Sequence, residues 1–80
     1  MSQSELEDFE DRILWHNRHL EAAGIKDLIF VGDGGVYNIG VYSMTTHKAE
    51  WFSDFEPAEA YCMGLYPDAY WETTGWQRNL

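Results

Sequence analysis

The dipeptide Asp33-Gly34, which lies between two apolar runs, constrains the fold of this chain more than any other feature. The runs are residues 28–31 and residues 36–42. Both turn residues tolerate the positive φ angles of a tight hairpin turn. The pattern therefore predicts two antiparallel strands that are joined at Asp33-Gly34.

The second of these strands indicates which side of the sheet is buried. Side chains alternate along a strand, so Tyr37, Ile39 and Val41 would share one side, and their apolar character favours burial of that side. Residues 43–46 are typical of a second turn, and residues 47–52 of a third strand. Together the three strands would form an antiparallel meander.

A helix is predicted for residues 3–23, before the sheet. Its apolar residues recur at helical spacing on one stripe. Gly24 is suited to the position that ends a helix. The stripe consists of Leu6, Phe9, Ile13 and Leu20.

A second, shorter helix is predicted for residues 57–66. Pro57 suits a first helical turn, and Pro67 would end the helix. Its apolar positions at helical spacing are Ala58, Tyr61, Cys62 and Leu65. The aromatic tail, residues 68–80, contains either a short fourth strand at residues 69–73 or an aromatic-rich turn that packs on the body of the domain.

The expected fold class is therefore α+β: an N-terminal helix, a three-stranded antiparallel meander, a second short helix and the aromatic C-terminal tail. Eighty residues are enough for one domain, residues 1–80. Four Trp, five Tyr and four Phe supply bulky side chains for its core.

The charge balance restricts the partners of the chain. Fourteen acidic residues against five basic ones give a net charge of −9. A phosphate backbone or an anionic membrane would repel such a protein, so we expect no direct binding to nucleic acid and no membrane association. Basic or neutral proteins are the expected partners. The alternative is that the acidity serves only solubility.

The sequence favours a protein without catalytic activity, cofactor or metal. Residues 32–35 are glycine-rich, but no Lys or Arg lies between Asp33 and Thr46, and a strand rather than a helix is predicted next. His16 and His19 have a spacing found in metal sites, yet Arg12 lies beside them on the helix. Cys62 falls on the apolar side of its helix and is expected to be a buried structural thiol.

The compartment is expected to be the cytoplasm. A single cysteine forms no internal disulfide, which favours a reducing environment. No apolar stretch is long enough for a membrane-spanning helix, and the acidic N-terminus is unlike a signal peptide.

Two regions are predicted to contact a partner. The first is the side of the N-terminal helix opposite its apolar stripe, with Glu7, Asp8, Asp11 and Trp15. Glu7 and Asp11 are i,i+4 neighbours with Cβ atoms about 6 Å apart, comparable to the spacing of successive phosphates. Trp is a favoured hot-spot residue of interfaces. Alternatively, the tail or an extended sheet covers Trp15.

The second region is residues 49–77, which combine acidic and aromatic residues and contain no Lys or Arg. This combination suits Arg- and Lys-rich surfaces through ion pairs and cation–π contacts. The alternative is a solvated rim around an aromatic core. The predicted contacts here are Glu50, Asp54, Glu56, Glu59 and Trp71.

In size, acidity and lack of catalytic motifs the chain resembles the small phage-encoded inhibitors of host defence, such as the anti-CRISPR proteins and DNA mimics. The acidic helix face and the acidic-aromatic segment carry this resemblance. It implies an inhibitor of a nucleic-acid-binding complex in the host cytosol, which would occupy the basic groove or bind its target away from the groove. The resemblance transfers no residue roles.

Three other classes of function stay open. An antitoxin-like partner of a basic toxin would use the same chemistry, although no basic segment is present to bind DNA. A structural subunit, for example of a virion, would use exposed aromatics for docking. A small enzyme or ligand-binding domain would need His16, His19, His47 or Cys62 to converge in a cleft.

Overall fold

The protein is described here by a computed structural model, which covers the backbone of residues 3–71 and the side chains of residues 6–71. The elements are α1 (Gln3–Ala22), β1 (Leu28–Asp33), β2 (Asn38–Ser43), β3 (Lys48–Phe52) and α2 (Phe55–Leu65). The predicted α+β class and its element order are confirmed. Residues 72–80 of the tail, including Trp76, lie outside the described residues.

Helix α1 ends as its sequence predicts. Gly24 has a φ angle of 82°. The N–H of Ile25 donates to the carbonyl of Leu20 at 3.0 Å, and that of Gly24 donates to the carbonyl of Glu21 at 2.9 Å. These are the two bonds of a Schellman motif, which satisfies carbonyls at the end of the helix. On the predicted stripe Phe9 and Leu20 are buried, whereas Leu6 and Ile13 are half-buried.

The strands form an antiparallel sheet in the order β1-β2-β3. The first hairpin differs from its prediction, because Asp33 is paired with Asn38 and the loop has four residues rather than two. The Asp33 side chain accepts a hydrogen bond from the N–H of Gly35 at 3.1 Å. The positive φ angle falls on Tyr37, at 55°. Tyr37 packs against Phe9 at 5.1 Å between ring centroids, which holds it in this conformation.

The second hairpin repeats this design. Ser43 is paired with Lys48, and His47 takes the positive φ angle, at 59°. The Ser43 hydroxyl accepts hydrogen bonds from the N–H groups of Thr45 and Thr46. In both hairpins a short polar side chain at the end of the strand organises the loop.

Helix α2 begins at Phe55, two residues before the prediction, and ends at Leu65. Ala58 and Cys62 are buried as expected, but Leu65 is exposed. Residues 69–71 form no strand. Of these residues, Trp71 packs on the body of the domain, since it is buried and its indole N–H donates to the carbonyl of Tyr66 at 2.7 Å, whereas Tyr70 is exposed.

Both helices cover the same side of the sheet. Directly opposite residues of an antiparallel sheet project from one side, and Phe30 and Val41 are such a pair. Both are buried: Phe30 stacks on His16 of α1 and lies near Phe55 of α2. Ile39 is buried on this side too, as the alternation predicts.

The opposite side of the sheet, called the open face below, has neither helix packed on it. Its residues are partly buried, except for Gly40, which is buried, and Trp51, which is exposed. The members of the open face are Ile29, Val31, Gly40, Tyr42, Ala49 and Trp51.

Neither described helix has both the length and the apolar character that crossing a bilayer requires.

Candidate protein-binding surface

The outer face of α1, defined by Glu7, Asp8, Asp11 and Trp15, is exposed throughout. Trp15 is 45% exposed, so the described residues do not cover it. The indole lies against the His19 ring at 3.7 Å between centroids. The Nδ1–H of His19 donates to the carbonyl of Trp15 at 2.7 Å, which fixes the imidazole beneath the indole. The outer face therefore presents a positioned aromatic ring beside carboxylates.

The second predicted region divides into surface and core. Glu50, Asp54 and Glu56 are exposed. Trp71 is only 1% exposed, so its assignment to the binding surface is corrected: it is a core residue. Glu59 is partly buried, because its carboxylate contacts the buried side chain of His16.

That contact joins the two helices. The Nε2 atom of His16 lies 2.6 Å from a carboxylate oxygen of Glu59, and the Nδ1–H donates to the carbonyl of Arg12 at 2.7 Å. Phe30 and Phe55 stack on the imidazole at 4.9 and 4.4 Å between centroids. A carbonyl and a carboxylate both accept hydrogen bonds, so the contact holds a proton between Nε2 and Glu59.

His16 also connects this buried contact with the outer face of α1. Its ring lies 4.7 Å from the Trp15 ring in an edge-on arrangement. One side of the imidazole thus contacts the exposed indole and another contacts α2. The exposed Trp15 indole therefore packs on the His16 ring, which is only 3% exposed.

Arg12 brings the acidic start of α2 next to α1. Its guanidinium lies 4.5 Å from the centroid of the Phe55 ring. Asp8 precedes Arg12 by one helical turn, and Asp54 and Glu56 flank Phe55 in sequence. The residues in contact across the two helices, Arg12 and Phe55, therefore both have acidic residues of the predicted regions as near neighbours along the chain.

A polar cluster of Asp27, Thr45 and Tyr66 holds the start of β1 in place through side-chain hydrogen bonds. The Asp27 carboxylate accepts hydrogen bonds from the Thr45 hydroxyl and from the Tyr66 hydroxyl, the latter at 2.9 Å. These bonds, Thr45 first, lower the pKa of Asp27 below its usual value. The bond to Asp27 raises the pKa of the Tyr66 phenol. The cluster links β1, the second hairpin and the end of α2.

The remaining candidate groups are dispersed. Cys62 is buried, and burial raises the pKa of its thiol to about 12, so it is protonated at neutral pH. His47 lies in the second hairpin, 3.3 Å from the Tyr42 hydroxyl. Within the described part of the chain, no three His, Cys, Asp or Glu side chains are grouped closely enough to hold a metal ion.

Comparison with known proteins finds no matching family model, no significantly similar curated protein and no significantly similar solved structure. Arguments about function therefore depend on the surface itself.

Sequence reasoning did not single out the open face as a candidate surface. Trp51 is 51% exposed there and lies over Gly40, where an added Cβ would come within 3.0 Å of the indole. Strand alternation was the available signal, because it assigns Gly40 and Tyr42 to the side opposite Ile39 and Val41.

Proposed function

We propose that this chain is a small acidic protein that binds a basic protein and inhibits a nucleic-acid-binding complex, in the manner of an anti-CRISPR protein or DNA mimic. One observation carries the proposal: Trp15 is exposed on the same helix face as Glu7, Asp8 and Asp11, and its ring is held in place by His19. The role requires binding alone and no reaction.

The chemistry of the outer face suits a basic groove. Carboxylates on a rigid helix attract Arg and Lys side chains at long range, which raises association rates for a partner of opposite charge. An indole ring binds a guanidinium through a cation–π contact. Because His19 already positions the indole, less conformational entropy is lost when it is buried in an interface. Asp54 and Glu56, at the start of α2, supply further exposed carboxylates.

A cytoplasmic location accompanies this proposal, in the host cytosol if the protein is phage-encoded. A reducing compartment suits a chain whose one cysteine, Cys62, is a buried free thiol.

The proposal is tested by capture from a bacterial lysate with an affinity-tagged protein. The test variant is Asp8→Asn/Asp11→Asn/Trp15→Ala. The matched control is Glu21→Gln/Asp68→Asn/Met44→Ala, which removes the same charge and one exposed apolar side chain elsewhere. Circular dichroism verifies that both variants are folded.

We expect the wild type and the control to capture a nucleic-acid-binding complex, and the test variant to capture it at least about tenfold less well. Raising NaCl from about 0.1 to about 0.5 M should weaken capture. When increasing amounts of the wild-type protein are added to the complex, the complex should release its nucleic acid. Equal capture by all three proteins, or a complex that keeps its nucleic acid, contradicts the proposal.

A structural interaction subunit, for example in a virion, is the second candidate function. The open face of the sheet favours it, since a half-exposed Trp51 on an apolar sheet surface suits assembly.

A further inference from the structure

The two outer strands of the sheet, β1 and β3, both have backbone groups that point away from β2. On β1 these groups are identified by Asn17 of α1. Its side-chain amide donates to the carbonyl of Phe30 at 3.0 Å, and its oxygen accepts from the N–H of Phe30 at 2.6 Å. The backbone of Phe30 therefore points outward, and α1 closes the β1 edge at this residue.

Because the backbone N–H and C=O of Phe30 point away from β2, the direction of these groups is known for every other residue of the sheet. Backbone groups alternate along a strand, so Phe30 and Val41 form a pair without mutual hydrogen bonds. Val41 then points to β3 and bonds with Glu50, its partner there. On β3 the backbones of Ala49 and Trp51 must consequently point outward.

The β3 edge is open. Within the described part of the chain, no hydrogen bond satisfies the N–H or C=O groups of Ala49 and Trp51. Lys48 and Glu50, which lie on either side of Ala49, are exposed. Open edges of this kind are templates for pairing with another strand.

The charges of β3 match a second copy of the same strand. If β3 pairs antiparallel with its own copy so that Ala49 lies opposite Ala49, each Lys48 lies opposite the Glu50 of the other copy. The outward backbone groups then also meet, as hydrogen bonding requires. Opposite charges at directly facing positions stabilise a strand pair.

The other registers that satisfy the backbone are less favourable. Placing Ala49 opposite Trp51 sets Glu50 against Glu50, and like charges at facing positions are destabilising. Placing Trp51 opposite Trp51 sets Glu50 against the apolar Phe52. Lysine at an edge strand often prevents pairing. Here Glu50 supplies its countercharge two residues later.

We propose that the protein self-associates by pairing β3 with β3 of a second copy, in the register that sets Ala49 opposite Ala49. The product is a six-stranded sheet whose two open faces are continuous. Pairing of five-residue strands buries much less than the roughly 800 Å² per partner of a stable complex. The dimer therefore forms at high concentration, with a dissociation constant on the order of 0.1 mM.

Sedimentation equilibrium from about 10 µM to about 1 mM tests the proposal. The mass of the wild type should rise from 9.3 kDa towards twice that value. Lys48→Glu and Glu50→Lys should each weaken the dimer roughly tenfold or more. The double exchange Lys48→Glu/Glu50→Lys should restore it, because opposite charges again face each other.

The two single variants separate strand pairing from general charge repulsion. Glu50→Lys makes this acidic protein less negative, so repulsion alone predicts a tighter dimer, whereas the pairing predicts a weaker one. An Ala49→Cys variant reports the register, because oxidation should crosslink two copies while buried Cys62 stays reduced. A monomer at every concentration, a tighter dimer with Glu50→Lys, or a double exchange that fails to restore association overturns the proposal.

Discussion

The two edges of the sheet show two ways of ending a β-structure in a small domain. At the β1 edge the Asn17 amide reproduces the two hydrogen bonds that another strand would make to Phe30. At the β3 edge the strand is five residues long and carries exposed charges. The first edge is closed at Phe30 by a side chain from a distant element, whereas the second is left accessible. The β1 edge therefore stays closed at Phe30 only while α1 is held against the sheet.

The largest expected effect concerns Cys62, whose thiol lies on the buried side of α2. Burial raises the pKa of the Cys62 thiol from 9.0 to about 12, which leaves about 1000-fold less thiolate at a given pH. At about pH 8 we expect iodoacetamide to modify the native protein at least about 1000-fold more slowly than the urea-unfolded chain. Mass spectrometry over time provides the rates. Rates within about tenfold of each other would mean that α2 opens readily beside the unpaired edge.

Opening the closed edge should have the next largest effect. Asn17→Leu keeps helix propensity but leaves the N–H and C=O of Phe30 without their partners. We expect a loss of about 3 kcal/mol in the free energy of unfolding, since each unsatisfied backbone group costs about 1–3 kcal/mol. Urea denaturation measures it. The control Arg18→Leu alters the exposed neighbour of Asn17 and should change stability by about 0.5 kcal/mol or less. Equal effects of both variants would show that the amide does not close the edge.

The helix-to-helix contact should follow in size. Glu59→Leu leaves Nε2 of His16 without its partner, and we expect a loss of about 2 kcal/mol. Glu59→Gln should lose only about 1 kcal/mol, because its amide N–H can donate to a neutral imidazole. The exposed residue Glu56 supplies the control Glu56→Gln. A Gln variant as unstable as the Leu variant would argue against the hydrogen bond as the source of stability.

The parts of the fold that the sequence predicts are those with local signals. Phe9 and Leu20 repeat at helical spacing, Gly24 ends α1 at a positive φ angle, and Ile39 and Val41 alternate with outward residues. Each of these patterns spans only a few positions. Physical preferences at that range act before any tertiary contact forms, so they can be recognised without the fold.

The contacts that complete the fold have no such signal. Asn17 meets Phe30 thirteen residues later, and His16 meets Glu59 forty-three residues later. Glu59 therefore resembled the exposed acids around it, although its carboxylate is directed at a buried imidazole. Trp71 was misassigned to the surface for a similar reason: its hydrogen bond to the Tyr66 carbonyl becomes apparent only once α2 has ended there.

The candidate surface was predictable where helical geometry alone decides exposure. Trp15 lies opposite the apolar stripe and is exposed as the spacing indicates, together with Asp8 and Asp11. Its contact with His19 follows from the i,i+4 relation and was available from the sequence. The open β3 edge could not be predicted from the sequence, because the strand order and the hydrogen bonds of Asn17 to Phe30 must be known first.

The smallest effect is expected at Asp27, a half-buried residue at the start of β1. Its carboxylate fastens the start of β1 to Thr45, and this bond contributes most to the lowered pKa. Thr45→Val removes the hydroxyl donor, so the pKa of Asp27 should rise towards 3.8. Carbon-detected NMR titration of the Asp27 carboxyl measures this shift directly. Thr46→Val, a change at the neighbouring exposed position, is the control and should leave the pKa unaltered.

The sign of the accompanying stability change follows from the lowered pKa. A carboxylate that is more acidic in the folded state contributes stability above the unfolded pKa, and this contribution is lost as pH falls through the folded pKa. The wild type should therefore exceed Thr45→Val in stability near neutral pH, and the difference should shrink as pH falls below about 4. Urea denaturation at both pH values tests it. A difference that is constant with pH would assign the role of Thr45 to packing in the hairpin rather than to its bond with the ionised carboxylate.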